Sequence, residues 1–310
     1  MEVILSSIFS IFFIIFLGYI FKKISFPSKD FWPLADKLTY FIMMPALLIY
    51  SLKSAKLDLL EFSTIATLLL AIVCTSIFLI ILNKISPTNN PSFTSIMQGG
   101  TRFNTYIFLA LSTAIYGEFG LVLSSIILSF VIIFLNILNV SIFILYIKDE
   151  NITNSKSRID IKYFLKSIFK NPLIIACIIG ISINYLKIPI PLVVDNSLKI
   201  LSSTALALGL LSIGNALVLE NFKQMLKDIF VSSFAKFLIF PLFTYIFILI
   251  FDIDKQTASI LMLFALMPTA TSAFILARQL GGDTKLMSAI ITVQTLISAP
   301  ILLLFLAYYS

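Results

Sequence analysis

The chain contains no histidine and only two cysteines among 310 residues, and charged residues make up just 12% of it. Without histidine it lacks the commonest general base and the commonest transition-metal ligand, so ordinary acid-base enzymes and histidine metal centres lose their usual tools. Cys74 and Cys177 each fall within an apolar run, in different halves of the chain. That placement argues against a disulfide framework or a metal cluster and reads as small core residues. Acidic residues are scarce where they would matter most: no Asp or Glu falls at the centre of a long apolar run, so no carboxylate relay for protons is visible. These gaps leave no expected cofactor, no expected metal and no enzyme.

What the chain has is apolar surface. Hydrophobic residues reach 59% and the mean hydropathy is +1.06, against roughly 45 to 50% apolar in soluble domains. Each crossing of a bilayer needs about 20 apolar residues, so a chain of this length holds about ten crossings and little else. The net charge of +7 and pI near 9.3 do not point to nucleic acid, because the Lys and Arg flank apolar runs and do not gather on one soluble face. They read as topology signals. The first run, Val3 to Phe21, is preceded by Glu2 and followed by Lys22 and Lys23, with no small-residue cleavage site; it is expected to stay as a helix and not to act as a signal peptide.

Apolar runs between polar punctuation predict crossings over 3–22, 31–52, 61–83, 93–115 and 120–147, then 163–186, 191–219, 226–251, 256–280 and 285–308. The expected fold is an all-α polytopic membrane protein of ten transmembrane helices. With the amino terminus outside, and with Arg102, Lys199, Lys236 and Arg278 set aside as lying within crossings, 14 Lys and Arg flank the cytoplasmic ends and only 4 the external ends, so both termini are expected to face outward. Five crossings per half put the second half in the opposite orientation, so any repeat must be inverted. The predicted organisation is a first five-helix repeat over 1–147, a cytoplasmic linker over 148–162 and a second repeat over 163–310.

Two of these segments carry breaks near mid-length, segment four at Gly99-Gly100 and segment nine at Pro268 followed by Thr269, Ala270 and Thr271. Each lies about a dozen residues or fewer from its start, roughly 13 to 18 Å in, and they approach from opposite sides. A break in lipid frees backbone groups that only protein or a water-filled cavity can satisfy, and a half-helix N-terminus suits an anion. The alternatives are that the glycines allow close packing and that the proline only kinks its helix. Arg102 is costly in a bilayer and is expected to face the interior or water, where its fork matches a carboxylate, unless it only neutralises carbonyls or snorkels. Asn104 can bind substrate through its amide or simply bridge helices. Thr269, Thr271 and Ser272 add hydroxyls, which are also common helix glue. Met44 and Pro45 offer a locally unwound, adaptable wall. Ser212, Gly214 and Asn215 read first as small-residue packing, with Asn215 kept as a candidate contact. Arg278 and Asp283 around Gly281-Gly282 read as an ion pair or a helix stop.

The stretches Gln98 to Asn104, Ile115 to Gly120, Asn171-Pro172 with Gly180, Pro189 with Pro191, Leu211 to Gly214, Ala265 to Thr271 and Ala277 to Asp283 occur in an order that resembles the auxin efflux carrier family. That family holds bacterial malonate-type permeases and plant auxin exporters. The resemblance implies ten helices in two inverted five-helix repeats, with helices four and nine broken and crossing at the substrate site, and a transport domain that moves as an elevator. By analogy Asn104 and Pro268 mark the two crossing breaks. Segment four departs from the pattern by having Gly-Gly in place of proline, and the chain lacks the long central loop of the plant exporters, as in the compact bacterial type. The implied function is secondary transport of a small organic anion, a carboxylate or an auxin-like acid, across the bacterial cytoplasmic membrane. The implied partners are that anion and the lipid bilayer, with a homodimer allowed and nucleic acid not. The rival reading is a membrane receptor for a small organic acid that binds without transport.

Overall fold

The computed structural model describes residues 2–55, 61–147, 171–219 and 222–309, and every regular element among them is helical. Helix α1 is Glu2–Lys23. Helix α2 (Phe31–Leu38) runs through a π turn (Thr39–Met43) into α3 (Met44–Leu52), and α4 is Phe62–Ile85. Helix α5 (Asn90–Thr101) is followed by the long α6 (Thr105–Tyr146). The second half gives α7 (Pro172–Tyr185), α8 (Leu192–Ala216) and α9 (Leu226–Phe234), which passes through a π turn (Ala235–Ile239) into α10 (Phe240–Ile250). Helices α11 (Lys255–Ala265), α12 (Ser272–Leu280) and α13 (Thr284–Tyr309) complete the order. Six helical stretches are long and apolar enough to cross a membrane: 5–23, 62–85, 90–146, 192–216, 223–250 and 284–305. The expected linker over 148–162 and the first residues of the sixth predicted crossing lie outside the described residues.

Local chemistry accounts for the boundaries. The side chain of Asn89 accepts from the Ser92 N–H at the start of α5, with Pro91 in the first turn. Asn171 does the same for α7 from the Leu173 N–H, with Pro172 beside it, and Asp254 accepts from the N–H groups of Gln256 and Thr257 at α11. These are ordinary N-caps, which satisfy donors that the helix itself leaves open. Both π turns directly precede a proline, Pro45 in α3 and Pro241 in α10. A proline ring clashes with the carbonyl four residues back and offers no N–H, so the backbone widens there. Within the helices many hydroxyls turn back to the carbonyl four residues earlier, as Thr75, Ser76, Ser125 and Thr244 do, which satisfies them without water.

Helix α6 holds a reversal. Gly117 has φ 60° and ψ −141°, a backbone region that needs glycine, and a Cβ on Gly120 would overlap the carbonyl oxygen of Ser112. Eight residues of unbroken helix would separate those positions by about 12 Å, so the chain folds back on itself at Gly117. The sequence reading placed a boundary between residues 115 and 120, and this turn is its physical cause.

Helices α1, α3, α7 and α8 form one packed group, with α1 along α8 and α3 against both α7 and α8. Helix α5 is held in a second group by α4, α9, α12 and α13, and α10 lies along α4. The break expected in segment four needs a correction. Gly99 and Gly100 lie inside α5, and the break is the extended stretch Arg102–Asn104. The glycines serve close approach instead: a Cβ on Gly99 would overlap the Ser232 hydroxyl, and one on Gly100 would stand 2.7 Å from Leu79 Cδ1. Segment nine breaks where expected, with α11 ending at Ala265 and α12 starting at Ser272.

Candidate functional site

The two breaks meet. The Asn104 N–H donates to the Pro268 carbonyl at 2.7 Å, so the non-helical backbone of one is paired with that of the other. Helix α5 reaches the junction after 12 residues and α11 after 11, about 18 and 16 Å of helix. The carbonyl of Gly99, one of those a helix C-terminus leaves unsatisfied, takes a hydrogen bond from Gln294 Nε2 at 3.0 Å, with the Thr269 hydroxyl at 2.8 Å. Gln294 Oε1 accepts from the Thr269 N–H at 3.1 Å and lies 2.7 Å from the Thr269 hydroxyl. Helix α13 thereby locks both breaks through one amide side chain. Gln294 is fully buried, so removing it would strand the Thr269 N–H and leave the Gly99 carbonyl with the Thr269 hydroxyl alone.

A cavity of about 660 Å³ lies against this junction. Arg102, Phe103 and Asn104 line it from the first break, Ala270, Thr271 and Ser272 from the second, and Asp36, Lys37, Tyr40 and Met44 from the α2–α3 segment. Tyr106, Asn136, Asn171 and Gln279 complete its polar wall. The Arg102 guanidinium donates to Gln98 Oε1 at 3.1 Å and to Asn136 Oδ1 at 2.9 Å. Both acceptors are neutral amides. Among the described residues the one ion pair is Lys53 with Asp195, so no carboxylate lies within ion-pair distance of Arg102, although Asp36 and Lys37 line the same cavity. A guanidinium has five donors; two are used for positioning, which leaves three for a guest.

The two half-helix N-termini differ. Asn104 Oδ1 accepts from the N–H groups of Tyr106 and Ile107, so its side chain already caps α6. Helix α12 starts after Thr271 with no side-chain cap, and its first residues face the cavity. The Ala273 and Phe274 N–H groups donate back to the Ala270 and Thr271 carbonyls, so it is the helix dipole and the Arg102 charge, more than free donors, that make the pocket favourable for an anion.

Of the residues singled out by sequence, Arg102, Asn104, Thr271 and Met44 line the cavity. Thr269 and Pro268 sit behind it in the junction, as the partners of Gly99 and Asn104. Gly99 and Gly100 are packing positions, and neither Pro45 nor Asn215 reaches the cavity wall. Asp283 pairs not with Arg278 but with α5: its carboxylate accepts from the Ser92 hydroxyl and caps the Leu286 N–H, while Gly281 in the left-handed region ends α12. Sequence reasoning missed Asn136, Tyr106, Gln279 and Gln294. The available signal was an amide or phenol inside an apolar helix, where a polar group needs a partner.

A family profile described as membrane transport protein matches residues 3–306. The chain belongs to that family, which takes in the auxin efflux carriers. No curated protein matches the sequence. As a membrane transport protein it is a multi-pass membrane protein that moves a small molecule, and its apolar helices are the spans that such a role needs.

Proposed function

We propose that this membrane transport protein carries a small organic anion by alternating access, and that Arg102 is the group that holds the carboxylate. The observation that carries the reading is a guanidinium with only neutral partners, facing a cavity that also receives the uncapped N-terminus of α12. Keeping such a charge at membrane depth is costly, and an anionic guest is its natural counterion. The wall of Tyr40, Phe103, Tyr106, Ile132 and Leu135 suits an acid with an apolar or aromatic body, and the volume lies within the usual range of ligand pockets, about 300 to 1,000 Å³.

The helix order supports ten crossings as two inverted repeats, 1–147 and 163–310, with the broken segments α5–α6 and α11–α12 in equivalent places. From the mid-length residues Arg102 to Tyr106 the lining runs to Asp36, Lys37, Asn171 and Gln279, toward the ends that the Lys-rich flanks assign to the cytoplasm, which supports an inward-open cavity. The group of α1, α3, α7 and α8 is the scaffold, and the group around α5 and α13 is the body that moves as an elevator. Counterflow of labelled dicarboxylates and indole acids in proteoliposomes tests this. Saturable binding without counterflow would favour a receptor, and equal flux by the parent and Arg102→Ala would remove Arg102 from the site.

A further inference from the structure

Lys236 is the most unusual side chain in the protein. It is 0% exposed, and its Nζ has no hydrogen-bond partner. Its one close polarisable neighbour is the face of Phe240, with 4.5 Å from Nζ to the ring centroid. It sits in the π turn between α9 and α10, packed on α4, α5, α9 and α10. The titratable groups on those four elements are Cys74 and Lys84 on α4, none on α5, Lys227 and Asp228 on α9, and Tyr245 on α10. Lys84, Lys227 and Asp228 lie at the far ends, with Lys227 engaged by the Ser86 hydroxyl, and Tyr245 is 43% exposed on the outer face. Among the described residues no carboxylate stands ready to balance an ammonium here.

The position is tied to the junction. Ala235 is the neighbour that a side chain on Gly100 would press against at 3.3 Å. Ser232, one turn before Lys236, donates to the Ile96 carbonyl at 3.3 Å and lies 3.4 Å from Gln294 Nε2. Phe240 packs on Phe264 at 6.1 Å, and Phe264 on Phe103 at 4.2 Å, so a continuous row of rings joins Lys236 to a residue of the cavity wall. Lys236 itself does not line the cavity; it stands behind the crossing that the cavity faces.

On the carrier reading above, we infer that Lys236 is the coupling group, which binds one proton together with the organic anion and releases both on the other side. A proton taken from water on one face forms the ammonium and is returned to water on the opposite face, so each cycle moves one proton with each anion. The empty carrier already holds, near the same junction, the Arg102 charge, whose hydrogen-bond partners are neutral amides. A second positive charge at Lys236 is opposed until an anion sits beside Arg102, so the two bindings reinforce each other, and by linkage each raises the affinity for the other.

The test uses the full chain in proteoliposomes with a trapped pH dye and a panel of labelled dicarboxylates that do not cross lipid unaided. In the parent, an inside-alkaline gradient is expected to raise accumulation several-fold, with proton entry that follows substrate. Lys236→Met is expected to exchange the same acids without a gradient but to lose both effects. A parent indifferent to the gradient with no proton movement, or a Met variant that stays gradient-driven, would overturn the inference while leaving carriage intact. If the Met variant does not fold, the parent's dye signal decides alone. If no acid in the panel is carried, the carrier reading fails, and the melting temperatures of parent and Met variant between pH 6 and 9 decide the matter of Lys236. A difference that grows in the parent's favour as pH rises supports a titrating amine, and a constant difference overturns it.

Discussion

Replacing Arg102 by Ala removes a cavity charge that two neutral amides position, Gln98 at 3.1 Å and Asn136 at 2.9 Å. A hydrogen bond to a charged group contributes about 1.5 to 3 kcal/mol, and at about 1.4 kcal/mol per factor of ten the apparent KM for an organic anion should rise about 10- to 150-fold. Arg102→Lys keeps the charge but not the fork. An ammonium has three donors, two of which Gln98 and Asn136 would claim, so an intermediate loss of about tenfold is expected. Initial counterflow rates against external dicarboxylate concentration, in proteoliposomes matched for protein, separate KM from maximal rate. Asn215→Ala serves as the control, because Asn215 does not reach the cavity, and its KM should equal the parent's. The reasoning is refuted if the Ala and Lys variants both keep the parental KM, or if Asn215→Ala shifts it as far as they do.

Gln294→Leu strands the Thr269 N–H in a fully buried site and leaves the Gly99 carbonyl only the Thr269 hydroxyl, a cost of about 1 to 3 kcal/mol for the stranded donor; a detergent melting curve should show the drop, and an unchanged midpoint counts against the lock. Gly99→Ala drives a methyl into Ser232 Oγ and should cost about 1 to 3 kcal/mol as overpacking, with partial recovery of the midpoint in the double variant with Ser232→Gly. Gly117→Ala strains the reversal at φ 60° and ψ −141° by about 1 to 3 kcal/mol, again read by melting. Burial raises the Asp254 carboxyl, but hydrogen bonds from the Thr257 side chain and the N–H groups of Thr257 and Gln256 outweigh it and leave the group below its ordinary 3.8. The cap's contribution is therefore fully present above pH 3.8 and is lost as pH falls through the lowered value. Asp254→Asn caps without titrating, so parent and variant should differ in acid sensitivity only below about pH 4.

The helices were legible because long apolar runs need no tertiary information to be recognised. Their ends were legible only as polar punctuation, and the caps at Asn89, Asn171 and Asp254 are what fix them. The reversal at Gly117 was legible only as a gap between two runs, since glycine marks freedom and not direction. Gly99-Gly100 misled for the same reason: a glycine pair can free a backbone or admit a neighbour, and only the Ser232 hydroxyl and Leu79 against it decide for the neighbour. The true break is set by groups that no local pattern reveals, the Pro268 carbonyl that takes the Asn104 N–H and the Asn104 amide that restarts the helix. Gln294 lies 195 positions from the Gly99 carbonyl it binds.

Arg102 and Lys236 show where sequence reasoning reaches its limit. Both are basic residues inside apolar runs, and by hydropathy alone they are equivalent. Two amides aim one of them into a cavity, and the other is sealed over an aromatic face with no partner. A charge that faces a cavity can meet its counterion within a single conformation. On the coupling inference, a sealed one must wait for the surrounding helices to move, so its proton would report the conformational cycle as well as the ligand.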